Sequence, residues 1–273
     1  MLPALTVLPV LTVLTVLPVL PVLSAGPSIL KKIRRPVVKR VTEIDEKTEV
    51  TDAIDLTDEK HDTPTESMLQ QVIHKMRENT NPAIHFLKDP TVIQWLYGDM
   101  SFLPPIQSIN KTRDIVVLKK LEDEWGQQMM RGRRPDLTLD KQWTNRFGEY
   151  LCEEILTLLG NQPYKPKNIE GYQPDVEVEN AIWEAKAQTY FTSGTAGEKI
   201  LGCGFKYAEI PELYGKPLYI LCIGGAEKLS REKYGNLPGP KQSPQKQRIL
   251  QTYRDLGIEY VGYTDMLEKW ISL

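Results

Sequence analysis

The chain has 273 residues and a formal net charge of −2, with 41% hydrophobic and 26% charged residues. That balance fits one sizeable globular domain plus an appendage, and it excludes an overall basic coat for nucleic acid, so any such contact must come from local segregation of charge. Three cysteines (Cys152, Cys203, Cys222) without a CxxC pair and three histidines (His61, His74, His85) without ligand spacing point away from a disulfide scaffold, a structural zinc site and histidine-centred hydrolysis.

Residues 6–23 are six triplets, each Thr-Val-Leu or Pro-Val-Leu. A three-residue period matches neither the helical 3.6 nor the strand 2.0, so this is no amphipathic element. Length alone would permit a membrane span, but Pro3, Pro9, Pro18 and Pro21 break a single helix. The cluster Lys31, Lys32, Arg34 and Arg35 follows the apolar run, whereas a signal peptide carries its positive charge first. The segment reads as low complexity, as from repetitive DNA translated from an upstream start, with Met68 a natural first residue. A membrane or targeting role is the rival, although no stable membrane association is expected and a cytoplasmic location is. Residues 42–67 hold ten Asp or Glu against Lys47 and Lys60, with no aromatic residue, a composition that stays disordered. The expected organisation is therefore an extension over 1–67 and an ordered domain over 68–273.

Within that domain, helices are predicted over 68–79, 113–130 and 141–159, joined by proline-bearing turns near Pro82, Pro104-Pro105 and Pro135. The third carries an apolar stripe of Trp143, Phe147, Tyr150, Leu151, Ile155 and Leu158, which marks a core-facing helix. A hairpin follows over 173–186. Then come a helix near 195–207, with Thr195 and Glu198 as a capping box at its start, and strand Pro217–Ile223. Helix 243–256, strand Ile258–Tyr263 and a short terminal helix complete the chain. Strands separated by helices predict an α/β fold with a mixed central sheet flanked by helices.

The hairpin is the most informative stretch. Residues 174–186 read Pro-Asp-Val-Glu-Val-Glu-Asn-Ala-Ile-Trp-Glu-Ala-Lys. If Glu179-Asn180 is a two-residue turn, Val178 faces Ala181, Val176 faces Trp183 and Asp175 faces Glu184. Alternation then puts Pro174, Val176, Val178, Ala181, Trp183 and Ala185 on one face, and Gln173, Asp175, Glu177, Ile182, Glu184 and Lys186 on the other. By periodicity alone the second face is the wet side of an amphipathic hairpin. Directly opposed side chains, however, have Cβ atoms roughly 4.5–5.5 Å apart, and two carboxylates that close repel unless a cation lies between them. Asp175 and Glu184 could share a hard metal ion, with Lys186 on the same face.

Pro174-Asp175 followed, after eight intervening residues, by Glu184-Ala185-Lys186 resembles the PD-(D/E)xK signature of restriction-endonuclease-like nucleases, and the chain is most similar to type II restriction endonucleases. The resemblance covers roughly residues 140–265 and is strongest over 174–200. It implies a central sheet of about five strands, an ordinary sheet size, with the active site at one edge. It also implies Mg²⁺ held by Asp175, Glu184 and the Ala185 carbonyl, and Lys186 as the group that positions the attacking water. The family often draws another acid from the preceding helix, and Glu149, beside Gly148, is the better candidate than Glu153.

Double-stranded DNA is the implied substrate, a homodimer the implied assembly, and a companion DNA methyltransferase the implied functional partner. A repair or recombination nuclease of the junction-resolvase kind, or a non-catalytic DNA-binding protein, remains an alternative on the same fold. The helix start after Lys186 offers Ser193, Thr195 and Lys199 to a DNA backbone, although a cap is also simply how helices begin. Arg131, Arg133 and Arg134 form the sharpest basic cluster and Lys241, Lys246 and Arg248 a looser one. Either could hold phosphates or read guanine edges, or be ordinary solvated charge. Trp125, Tyr164 and Tyr190 read as packing residues.

Overall fold

The computed structural model describes residues 66–136, 143–192 and 197–273. The apolar repeat and most of the acidic stretch lie outside these residues. Four helices precede the sheet: α1 (Glu66–Glu78), α2 (Pro90–Leu96), α3 (Lys111–Arg133) and α4 (Trp143–Leu158). α1 begins just ahead of Met68. The sequence reading missed α2, which is too short to show a period. It carries a start signal all the same: Asp89 accepts a hydrogen bond from the Thr91 N–H, and Pro90 fills the first turn, where a missing N–H costs nothing. α3 is capped in the same way by Asn110, which accepts from the Arg113 N–H.

The hairpin follows as β1 (Val176–Val178) and β2 (Ala181–Gln188). Val176 faces Trp183 and Val178 faces Ala181 in an antiparallel pair, so the tight turn at Glu179-Asn180 and the register deduced from it are both present. α5 (Glu198–Lys206) and α6 (Ile210–Tyr214) lead to β3 (Leu218–Gly224); α7 (Gly225–Leu229), a π-helical turn over Ser230–Tyr234 and α8 (Pro244–Asp255) lead to β4 (Ile258–Gly262); α9 (Tyr263–Ile271) closes the chain. The strand order is β1-β2-β3-β4. β2, β3 and β4 run parallel, so the sheet is mixed.

The described residues contain four strands rather than about five. Tyr164 forms a single bridge to Glu177 beyond β1, with the Tyr164 N–H on the Glu177 carbonyl at 2.9 Å and the return bond at 2.8 Å. Pro163 and Pro166 flank it and have no N–H to extend a ladder. A fifth strand is thus reduced to one hydrogen-bonded pair.

Helices pack on both faces of the sheet, so the polar side of the hairpin is only partly open to solvent. Val176, Val178 and Trp183 join Leu221 and Ile223 in a core shared with α1 to α4 and α9. Its centre is aromatic: Trp95 lies 5.9 Å from Trp143 and 5.6 Å from Phe147, centroid to centroid. On the opposite face Ile182, Ile220 and Cys222 pack with residues of α5, α6 and α8. Both parallel crossovers therefore lie over one face, as successive crossovers of the same hand require when a sheet grows in one direction. Ile182 is fully buried and Glu184 is only 4% exposed. α4 crosses β2 at Gly148, where an added Cβ would come within 2.8 Å of the Ala187 Cβ. That close approach brings the first turns of α4 to the carboxylates of the hairpin. Among the described residues no helix is long and apolar enough to cross a membrane.

Candidate active site

Toward the C-terminal ends of β2 and β3 the sheet opens into a cleft of about 750 Å³. Asp175, Glu184, Ala185 and Lys186 line it, together with Thr144, Asn145 and Glu149 of α4, Lys119 and Asp123 of α3, and Lys199, Gly202, Cys203 and Lys206 of α5. The reason the two acids meet is local. The chain reaches β1 through Pro174, which cannot donate to the ladder, and the Asp175 side chain continues the pairing instead: its Oδ2 accepts the Ala185 N–H at 2.9 Å. Asp175 thereby stays in register opposite Glu184.

Glu184 is the most deeply buried acid of the cleft. Its Oε1 accepts from the Lys186 ammonium at 2.5 Å, while its Oε2 is buried with no hydrogen-bond partner. Burial, and then the charge of Glu184, push the Asp175 carboxyl well above its ordinary value, against the opposing pull of Lys186 and the Ala185 N–H. Burial draws Lys186 down, but the charge of Glu184 prevails and leaves its ammonium raised. Lys186 is therefore a cation at neutral pH. Tyr207 stands beside Glu184, and its hydroxyl is pushed far up by burial, by that charge and by the approach of its side chain to the same carboxylate. The Lys206 ammonium donates to the Tyr207 oxygen at 2.9 Å and sits 4.5 Å from the ring centroid.

Glu149 lines the same cleft, held by Arg146 at 2.6 Å, and its charge adds to the rise at Asp175. Glu153, one turn further along α4, does not line it. Glu177, although on the same strand face by alternation, belongs to the scaffold: Lys216 bonds it at 2.7 Å and the Val178 carbonyl at 2.9 Å. Cys203 is the thiol of the cleft, and burial pushes it up to about 12, so it is no thiolate nucleophile at neutral pH.

The residues expected from sequence to contact nucleic acid are placed differently relative to the cleft. Lys199 lines the cleft. Ser193 and Thr195 lie outside the described residues. The capping box expected at Thr195 therefore also falls outside them; among the described residues α5 runs from Glu198, with Gly197 at the N-cap and no side-chain cap there. Arg131, Arg133 and Arg134 do not line the cleft. They close the long helix α3, whose residues Lys119 and Asp123 do, and Arg133 lies about 15 Å further along the axis at 1.5 Å per residue. Arg134 is also engaged, by Asp136 at 2.8 Å and by the Tyr150 hydroxyl. Trp125 and Tyr190 pack in the core, while Tyr164 is half exposed.

Lys119, Asp123, Asn145, Lys206 and Tyr207 escaped the sequence reading. They come from three separate helices, α3, α4 and α5 with its C-cap Tyr207, with no local motif. Only Lys206 had a signal, standing two turns from Lys199 on one face of the predicted helix.

A divalent cation fits the residues present. Among the described residues no group of three or more His, Cys, Asp or Glu side chains is placed to hold a metal. The set here is two carboxylates, one with a buried unpartnered oxygen, and the Ala185 carbonyl. All-oxygen donors of that number suit Mg²⁺, which keeps several waters and binds through one or two carboxylates, and not zinc with its nitrogen and sulfur ligands. No protein-family model matches the chain, and neither a curated protein nor a solved structure does.

Proposed function

We propose that this chain is a Mg²⁺-dependent type II restriction endonuclease of the PD-(D/E)xK kind, hydrolysing phosphodiester bonds of double-stranded DNA at a short specific sequence. The observation that carries the reading is the buried, unpartnered Glu184 Oε2 opposite Asp175, with Lys186 at 2.5 Å from the other oxygen of the same carboxylate. Two acids forced together by strand register, in a cleft, are an arrangement that costs stability and that a cation relieves.

Asp175, Glu184 and the Ala185 carbonyl would hold the ion. Bound there, it would supply charge neutralisation on the phosphate and a more acidic water. Lys186 remains protonated and close to that position, so it orients the attacking water and stabilises negative charge growing on the phosphate oxygens. Glu149 at the cleft wall fixes Arg146 and adds an acceptor for a second-layer water. The cleft walls contributed by α3, α4 and α5 limit bulk water at the reacting bond. As a restriction enzyme the protein works as a homodimer on a palindrome, since a two-fold protein matches a two-fold site, and a DNA methyltransferase protects the host sequence.

Digestion of plasmid by the purified full chain, with and without Mg²⁺, tests this beside Asp175→Asn and Lys186→Ala. Discrete fragments that require Mg²⁺ and vanish in both variants are expected. Cleavage that persists without metal, or undiminished in the variants, overturns the reading. Preferential cutting of branched over linear DNA replaces it with a junction nuclease.

A further inference from the structure

The glycines inside the helices are explained by packing, with one exception in the cleft. At Gly126 an added Cβ would lie 2.4 Å from Trp143, at Gly148 2.8 Å from Ala187, and at Gly204 3.0 Å from Tyr253. Each of these lets another part of the chain come close. Gly202 is different: an added Cβ meets nothing within 4 Å, the residue is exposed, and its φ is not in the left-handed region. It sits in the interior of the nine-residue α5, where glycine is a poor helix former. Gly132 is also open, but it stands in the last turn of α3 and outside the cleft. The fold therefore has no use for glycine at 202.

Gly202 shares its helix face with Lys199, Cys203 and Lys206, at the spacing that lines up residues one and two turns apart, and all four line the cleft that holds Glu184. Across this cleft the Glu184 carboxylate keeps one oxygen buried and unpartnered, an independent sign that the cleft is completed by something outside the chain. Both lysines are exposed. A bare backbone patch between two ammonium groups suits a phosphate-bearing strand: the lysines neutralise charge, and the missing side chain allows the sugar-phosphate chain to lie against the helix.

We propose that the Lys199–Gly202–Lys206 face of α5 is the track on which one strand of the nucleic acid runs through the cleft, with Gly202 kept as glycine by the substrate rather than by the fold. This rests on the nuclease reading and adds to it the surface that takes the strand. Gly202 and Lys206 are binding residues here, and neither performs a chemical step.

The test is binding of a short fluorescein-labelled DNA duplex to the full-length protein in Ca²⁺, read by anisotropy, for wild type, Gly202→Ala, Gly202→Leu and Lys206→Ala. Thermal melting and plasmid cleavage are followed alongside. Removing the glycine from the helix raises the melting temperature of Gly202→Ala by about 2–4 °C, while binding weakens, by about tenfold for the bulkier Gly202→Leu. Lys206→Ala lowers the slope of log K against log salt by about 0.9. A more stable but weaker-binding Gly202→Ala is an outcome that a purely structural glycine does not produce. Wild-type cleavage with unchanged affinity in both Gly202 variants, or an unchanged salt slope in Lys206→Ala, overturns the track and leaves the nuclease reading standing. A wild-type protein that neither binds nor cuts DNA overturns both.

Discussion

Four acidic side chains are buried and a fifth, Asp175, is half-buried beside one of them, and the five divide into two kinds. Glu122, Glu154 and Glu227 are surrounded by donors. Glu122 accepts from the Trp95 indole at 2.7 Å and from the Tyr190 and Phe191 N–H groups. Glu154 accepts three successive N–H groups, from His85, Phe86 and Leu87, at 2.8 to 2.9 Å. Glu227 holds Arg231 at 2.8 Å and the Thr264 N–H at 3.1 Å. Asp175 and Glu184 instead face each other, with a single ammonium close by and one oxygen left over. The first kind ties loops to helices: Glu122 fastens the segment leaving β2 to α3, and Glu154 fastens the loop before α2 to α4. The second kind keeps a buried oxygen without a hydrogen-bond partner. Burial alone does not separate the two kinds; unmet bonding capacity does.

The largest expected effect separates the two kinds by activity. Asp175→Asn keeps an oxygen to accept the Ala185 N–H and loses the charge, so cleavage falls about a thousandfold or more while the fold is retained. Single-turnover cleavage and circular dichroism on the same sample check it. Glu154→Ala does the reverse. Three N–H groups lose their acceptor in a buried place, at a cost of about 3 kcal/mol, and denaturant unfolding should show the loss while activity per folded molecule stays at the wild-type level.

A smaller effect concerns pH. Burial raises Glu122 from 4.5 to about 7, outweighing the hydrogen bonds from Trp95, Tyr190 and Phe191. A carboxyl raised in the folded state stabilises that state while protonated. Its contribution is complete below the unfolded value near 4.5 and is lost as pH rises through about 7. Asp175 shifts in the same direction. Metal-free wild type should lose stability across that window more steeply than Glu122→Gln, as thermal melts at stepped pH would reveal, and Mg²⁺ should restore stability above the window in wild type but not in Asp175→Asn. Smallest of all is Lys216→Met. It breaks the Glu177 pair, which is largely shielded from solvent, and is expected to cost about 1 kcal/mol with no change in cleavage.

Much of the site was legible because it is local. Alternation along 174–186 and a two-residue turn are enough to oppose Asp175 and Glu184, and the strand pairing has that register. The polarity of the hairpin misled in one respect. Glu177, Glu184 and Lys186 read as a wet face, yet Ile182 anchors that face in a second core beneath α5, α6 and α8, and helices far along the chain return to bury Glu184 and partly cover Glu177 and Lys186. Short elements such as α2 and α6 fall below any periodic signal, although Asp89-Pro90 marks a helix start in hindsight. Lys119, Asn145 and Tyr207 reach the cleft through tertiary packing, which no spacing in the sequence encodes. The arginines at the end of α3 cluster in sequence, and the helix carries them along its axis away from the cleft that holds the carboxylates.

Isothermal titration of Mg²⁺ into the metal-free full chain, for wild type beside Asp175→Asn and Glu184→Gln, asks most directly whether the unsatisfied pair is a metal site. Saturable binding in wild type is expected, with protons released at pH below about 7 as the raised Asp175 carboxyl gives up its proton, and loss of that binding in both variants. Equal binding in all three proteins, or none in wild type, would contradict it.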